Sequence, residues 1–130
     1  MFRRFRNPPP DKVHPPVARY HHRVEVSPGK WWMVLSGQVG IRPDGQVPED
    51  PIEQLEVALE NVRQNLFDGY MQVEDVVKLT IYLVGDVDPE RRRAVLDKWL
   101  ARHTPTMTVV YVVALASPEY RVEVEAWAAA

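Results

Sequence analysis

The chain has 130 residues, a formal net charge of −2 and 45% apolar residues, which suits one globular domain with its own core. It has no cysteine, so disulfides, thiol catalysis and thiolate metal sites are excluded. No apolar run approaches the roughly 20 residues of a membrane span, and Met1-Phe-Arg-Arg-Phe-Arg6 lacks the apolar stretch of a signal peptide, so no membrane partner and a cytoplasmic location are expected.

Charge is unevenly placed: residues 1–23 carry +5 and the remainder −7. The first 16 residues include five prolines, among them Pro8-Pro9-Pro10, which rules out a helix there. Residues 1–17 therefore read as a basic, Pro-rich lead-in, extended or disordered, and 18–130 as the domain. The basic segment is either a solvated tail or a phosphate-contacting arm. The acidic body argues against a broad nucleic-acid surface, so nucleic acid is not expected as a partner.

Tyr20–Val26 and Trp31–Leu35 read as two strands, with Ser27-Pro-Gly-Lys30 as the turn of a hairpin. Ser36-Gly37-Gln38-Val39-Gly40 follows, and two glycines in four residues suggest a bend or a close backbone approach. Asp50 suits an N-cap and Pro51 a first helical position. Ile52, Leu55, Leu59, Val62 and Leu66 form one apolar stripe at helical spacing, and Gly69 stands where a left-handed C-terminal residue belongs. Val76–Val84 alternates as a strand. Asp88-Pro89 starts a second helix, which ends near His103 and carries Arg91-Arg92-Arg93 in its first turns. Those cations either form a solvated face or include one with an anionic partner.

The last two strands are the most distinctive part of the chain. Met107–Leu115 is an almost unbroken run of Val, Tyr and Thr, as expected of a strand covered on both faces. Arg121–Trp127 alternates, with Arg121, Glu123, Glu125 and Trp127 pointing one way and Val122, Val124 and Ala126 the other. The order strand, strand, helix, strand, helix, strand, strand reads as α+β. With both helices on one face of the sheet, the other face is left to be covered by association.

Five segments recur in an order that resembles the reactive-intermediate deaminase superfamily, RidA/YjgF, also labelled endoribonuclease and translation inhibitor. They are Tyr20-His-His-Arg-Val24, Leu35-Ser-Gly-Gln38, Asp75-Val-Val-Lys-Leu-Thr-Ile-Tyr-Leu83, the strand after Pro105, and Val122-Glu-Val-Glu-Ala126. The resemblance covers about residues 18–128. It implies a chorismate-mutase-like mixed sheet with two helices on one face, and a homotrimer whose sheets form a central barrel with clefts between subunits. It implies hydrolysis of reactive enamines and imines, with ammonia released and no cofactor or metal required.

Carried over by position, the resemblance makes Glu123 the group that positions or activates water. It makes Tyr20, Ser36, Gly37 and Gln38 substrate-binding. The family's carboxylate-gripping Arg falls on Met107, in Pro105-Thr-Met-Thr108, and a helix Asn falls on Arg93. An Arg offers a bidentate, charge-assisted grip on a carboxylate, and Met offers none. The standard 2-imino acid reaction should therefore be impaired unless Arg93 or Arg121 substitutes. Three readings follow. The chain is a divergent hydrolase of small enamines or imines, or a non-enzymatic homotrimer that binds a small metabolite or a protein, or, on the old label alone, an endoribonuclease. Adjacent residues His21 and His22 would point to opposite strand faces, which disfavours both RNA cleavage and a shared metal ion.

Overall fold

The computed structural model describes residues 2–130. Arg3–Arg6 forms a strand, β1, which pairs antiparallel with β2, Arg23–Val26. The proline-rich stretch is the long loop between them. This ribbon is anchored to the body: Arg3 donates to the Asp75 carboxylate at 2.7 Å and to the Ala129 carbonyl at 3.2 Å. Phe5 packs against the rings of His21 and His103, with centroids 5.5 and 5.4 Å apart.

The hairpin expected between Tyr20–Val26 and Trp31–Leu35 does not form. Gly29, at φ +77°, turns the chain so that β3, Trp32–Val34, joins the C-terminal strand instead. Trp31 and Ala130 exchange both main-chain hydrogen bonds, at 2.9 and 3.0 Å, and so begin that pairing. A two-residue strand, β4 at Gln38–Val39, follows on the same partner.

The first helix, α1, spans Pro51–Asp68. Asp50 caps it by accepting from the Ile52 N–H at 2.9 Å, and every residue of the predicted apolar stripe is buried. Each such side chain contributes roughly 1.5–3 kcal/mol. Gly69 closes the helix, but its φ is −94°, and the left-handed residue is Tyr70 at +63°. At 69 the Met33 methyl fills the place a Cβ would take, so a larger residue there would have to displace the end of that side chain.

A 3-10 turn at Val73–Asp75 leads into β5, Val76–Leu83. The second helix, α2, runs from Pro89 to Leu100, capped by Asp88, and ends three residues before the expected His103. Arg91 finds an anionic partner in Asp50, at 2.7 Å. Strand β6, Thr106–Tyr111, lies parallel to β5, while β7, Val122–Ala129, lies antiparallel to it. The mixed sheet has the order β3-β7-β5-β6, with β4 also on β7.

Both helices pack on one face. Leu79, Ile81 and Leu83 of β5 and Val122, Val124, Ala126 and Ala128 of β7 are all fully buried against them. The expectation that the Val-rich strand is covered on both faces fails in the single chain. Strand β6 is the sheet edge, and Val109, Val110 and Tyr111 are exposed. Trp32, Val34 and Trp127 are exposed too, with the two indoles edge to face at 6.4 Å.

Candidate functional site

Alternation along β7 turns Glu123 and Glu125 away from the core, between the buried Val122, Val124 and Ala126. Register then decides their neighbours. Glu123 lies opposite Tyr82 of β5 on one side and Val39 of β4 on the other. The Tyr82 hydroxyl donates to the Glu125 carboxylate at 2.6 Å. That hydrogen bond, with desolvation and the negative charges of Glu125 and Glu123, raises the Tyr82 pKa above its ordinary value, so the phenol keeps its proton.

The Ser36-Gly37-Gln38 bend reaches the same place. A Cβ built on Gly37 would stand 2.6 Å from the Glu123 carboxyl carbon, so the bend lies directly against that side chain. Gln38 donates to the Ser36 carbonyl at 3.0 Å, and its amide oxygen faces the Asn65 amide at 3.4 Å. Ser36 and Gly37 are exposed and Gln38 half-buried. Glu123 and Gly37 thus meet on the open side of the sheet, with Ser36 beside them and Tyr82 and Glu125 as neighbours, whereas Gln38, paired with the buried Val124, turns to the α1 side, where the Asn65 amide reaches it.

Met107 is elsewhere. It pairs with the buried Leu79 and packs against the hydrophobic core. Paired residues share a face, so Met107 projects to the helix side, opposite to Glu123. Tyr20 lies near the N-terminal end of β6. The neighbouring His21 N–H donates to the Pro105 carbonyl at 3.0 Å, beside the start of β6. The Tyr20 hydroxyl accepts from the Val17 N–H at 3.2 Å, and its ring meets His22 edge to face. Arg93 is exposed on α2. Within one chain, then, Met107 and Glu123 project to opposite faces of the sheet.

Arg121 departs from the expected strand pattern. Strand β7 begins one residue later, and the Arg121 N–H donates to the Gln54 side chain at 2.8 Å. Its Nε and Nη2 donate to the Val84 and Asp86 carbonyls, each at 2.8 Å, so the guanidinium braces the turn between β5 and α2. Gln54 is itself a buried amide that sequence reading passed over. It also donates to the Pro48 and Glu119 carbonyls, and its position on an otherwise apolar helix face was the only available signal. Tyr82 was missed as a neighbour of Glu123 because strand register cannot be read from alternation alone.

A surface hollow of about 810 Å³ lies along the solvent side of α1 between Arg42 and Gln64, and none of the predicted site residues lines it. The chemistry points to Glu123 rather than to that hollow. Among the described residues, no group of three or more His, Asp or Glu side chains is arranged to hold a metal ion, and no helix is long and apolar enough to cross a membrane.

The endoribonuclease L-PSP family model matches residues 12–130. A RutC family protein of Pyrococcus abyssi is 27% identical over 104 residues, covering 78% of this chain and 80% of its own length. A RutC family protein of Aquifex aeolicus is 36% identical over 73 residues, 55% of this chain, and the match spans only 56% of its own length. Among solved structures, the Rid-family protein YyfB of Yersinia pestis, described as of unknown function, superposes with a TM-score of 0.85 at 28% identity, with both chains fully covered. Escherichia coli TdcF, which carries the name "Putative reactive intermediate deaminase TdcF" and is solved with bound serine, gives 0.71 at 26% identity, covering 88% of this chain and 91% of its own. The chain belongs to the endoribonuclease L-PSP family, within the RidA/YjgF superfamily.

Proposed function

We propose that the protein is a divergent RidA-like hydrolase, acting without a cofactor on small reactive enamine or imine metabolites in clefts between the subunits of a homotrimer. One observation carries the reading: the half-buried Glu123 carboxylate is held against the exposed Gly37 on the open face of the sheet, away from the core. There it takes a proton from the water that attacks the imine carbon and returns it to the nitrogen, so that the C–N bond of the resulting carbinolamine breaks and ammonia leaves with a carbonyl product. The separation of Met107 from Glu123 favours clefts between subunits, because only a second chain can bring the helix-side group of one copy against the Glu123 group of another. The apolar Met107 in place of the family's Arg favours a substrate with a neutral group at that point, so standard 2-imino acids are not the substrate.

The non-enzymatic alternative draws on the same Met107, since a cleft without a gripping cation suits binding as well as turnover. Ammonia release from a panel of enamines and imines, with and without a carboxylate, separates the two. The hydrolase reading expects turnover of a neutral substrate and a loss of about 100-fold or more in Glu123→Gln. No ammonia from any member of the panel, or an unchanged rate in Glu123→Gln, sinks it.

A further inference from the structure

The carboxylates of β7 are held in different ways. Glu125 is fixed by a hydrogen bond from Tyr82, and that phenolic proton is therefore not available to Glu123. Glu123 is fixed by shape. A Cβ at Gly37 would come within 2.6 Å of its Cδ, 2.8 Å of its Cγ and 2.9 Å of its Oε2. Real Cβ atoms essentially never come that close. Gly37 does not adopt the left-handed backbone that marks Gly29, Gly45 and Gly85, so conformation does not call for glycine here. Space does.

On its other flank Glu123 faces its cross-strand neighbour Tyr82. Such neighbours stand about 4.5–5.5 Å apart at Cβ, close enough for the phenol ring to bound the carboxylate's travel. Tethering the hydroxyl to Glu125 restricts the ring to one setting. The atoms that a methyl at 37 would strike are the far end of a flexible side chain, not backbone. Such a methyl therefore displaces the carboxylate rather than the fold.

We infer that Gly37 and Tyr82 are positioning residues that aim the Glu123 carboxylate, Gly37 by leaving the slot it occupies and Tyr82 by closing the opposite side. The catalytic consequence rests on the hydrolase reading above; the slot itself does not. Misplacing a reacting group by about 1 Å can cost on the order of 100-fold in rate. In Gly37→Ala we expect a fall of about that size in kcat with KM little changed, while circular dichroism and Tm stay close to those of the parent protein.

The deciding measurement is a double-mutant cycle with Glu123→Gln. If Gly37 acts through Glu123, the double variant is no slower than Glu123→Gln alone, and Tyr82→Ala behaves in the same way. Losses that multiply would show that Gly37 works independently, and the inference would fall while the hydrolase reading stood. A crystal structure of Gly37→Ala supplies a readout that needs no activity. The carboxylate must leave its present place, and finding it unmoved overturns the slot. Should Gly37→Ala not fold, it must fold in the Glu123→Ala background, where nothing remains to strike, and failure there also overturns the inference.

Discussion

The two strands that flank β5, β7 and β6, are both rich in Val, yet the fold treats them oppositely. Strand β7 is flanked by β3 and β4 on one side and β5 on the other, and its Val122, Val124 and Ala126 are wholly buried. Strand β6 has only β5 beside it, and its Val109, Val110 and Tyr111 remain open. Composition alone does not separate these strands; their place in the sheet does. An apolar edge left open is an invitation to pairing or packing by another chain. The same division runs through the candidate site, with Glu123 on the open face and Met107 on the helix side.

The contrast between the two faces is broken most severely from within the core. Leu79 is fully buried between the helices and the sheet, whereas its neighbour Thr80 faces the open side, opposite Glu125. Leu79→Ala should cost about 2–5 kcal/mol by the combined loss of transfer energy and the cavity left behind. Thr80→Ala should change stability by less than about 1 kcal/mol. Urea unfolding of both variants checks this. Similar losses in the two would mean that the open face is covered in the folded protein as tightly as the inner one.

A second substitution tests whether the two faces meet between chains. Met107→Arg puts a guanidinium on the helix side, where no carboxylate of the same chain's Glu123 cluster lies. If the cleft is shared between subunits, the new cation should grip a small carboxylate. Charge-assisted hydrogen bonds of that kind contribute about 1.5–3 kcal/mol, or roughly tenfold or more in affinity. Calorimetry with pyruvate on the parent and on Met107→Arg measures the gain. Equal or tighter binding by the parent would mean that another cation already serves, and Arg93 would be the first to examine. Arg121 is the weaker candidate, because its Nε and Nη2 are already committed to main-chain carbonyls.

The helices, both N-caps, the alternation of β7 and the family were legible in the sequence, because each is written in local spacing: a cap before a proline, a stripe at helical period, a carboxylate every second residue. What was not legible was long-range pairing. Trp31–Leu35 pairs with β7 rather than with Tyr20–Val26, since main-chain partners are chosen by the whole sheet and not by the intervening turn. Arg121 looked like the first outward residue of the strand, but its fate depended on Gln54, 67 positions away. Met107 and Glu123 both stand out in the sequence as candidate site residues. That they lie on opposite faces required the register Leu79↔Met107 and Tyr82↔Glu123, which no periodicity contains.

The smallest expected effect concerns the β1–β2 ribbon, which packs at the end of the sheet away from Glu123. His103 stands there against Phe5, with its Nε2 2.8 Å from the Val76 carbonyl. Burial, the largest cause, lowers its pKa below the ordinary 6.5, and the Arg3 charge acts in the same direction. The bond to the Val76 carbonyl and the charges of Glu74 and Asp75 oppose the shift without cancelling it. Because the folded pKa lies below the unfolded one, the unfolded chain binds more protons between the two values. The contribution is therefore fully present above about pH 6.5 and is lost as the pH falls towards and through the folded value. Urea midpoints at pH 7.5, 6.5 and 5.5 should drop across this window in the parent protein, and His103→Asn should flatten the drop. The measurement belongs above pH 5, clear of the range in which ordinary carboxylates take up protons. An equal drop in both proteins would assign the pH dependence to other groups, and the ribbon would then be held by Arg3 and Phe5 without help from a neutral His103.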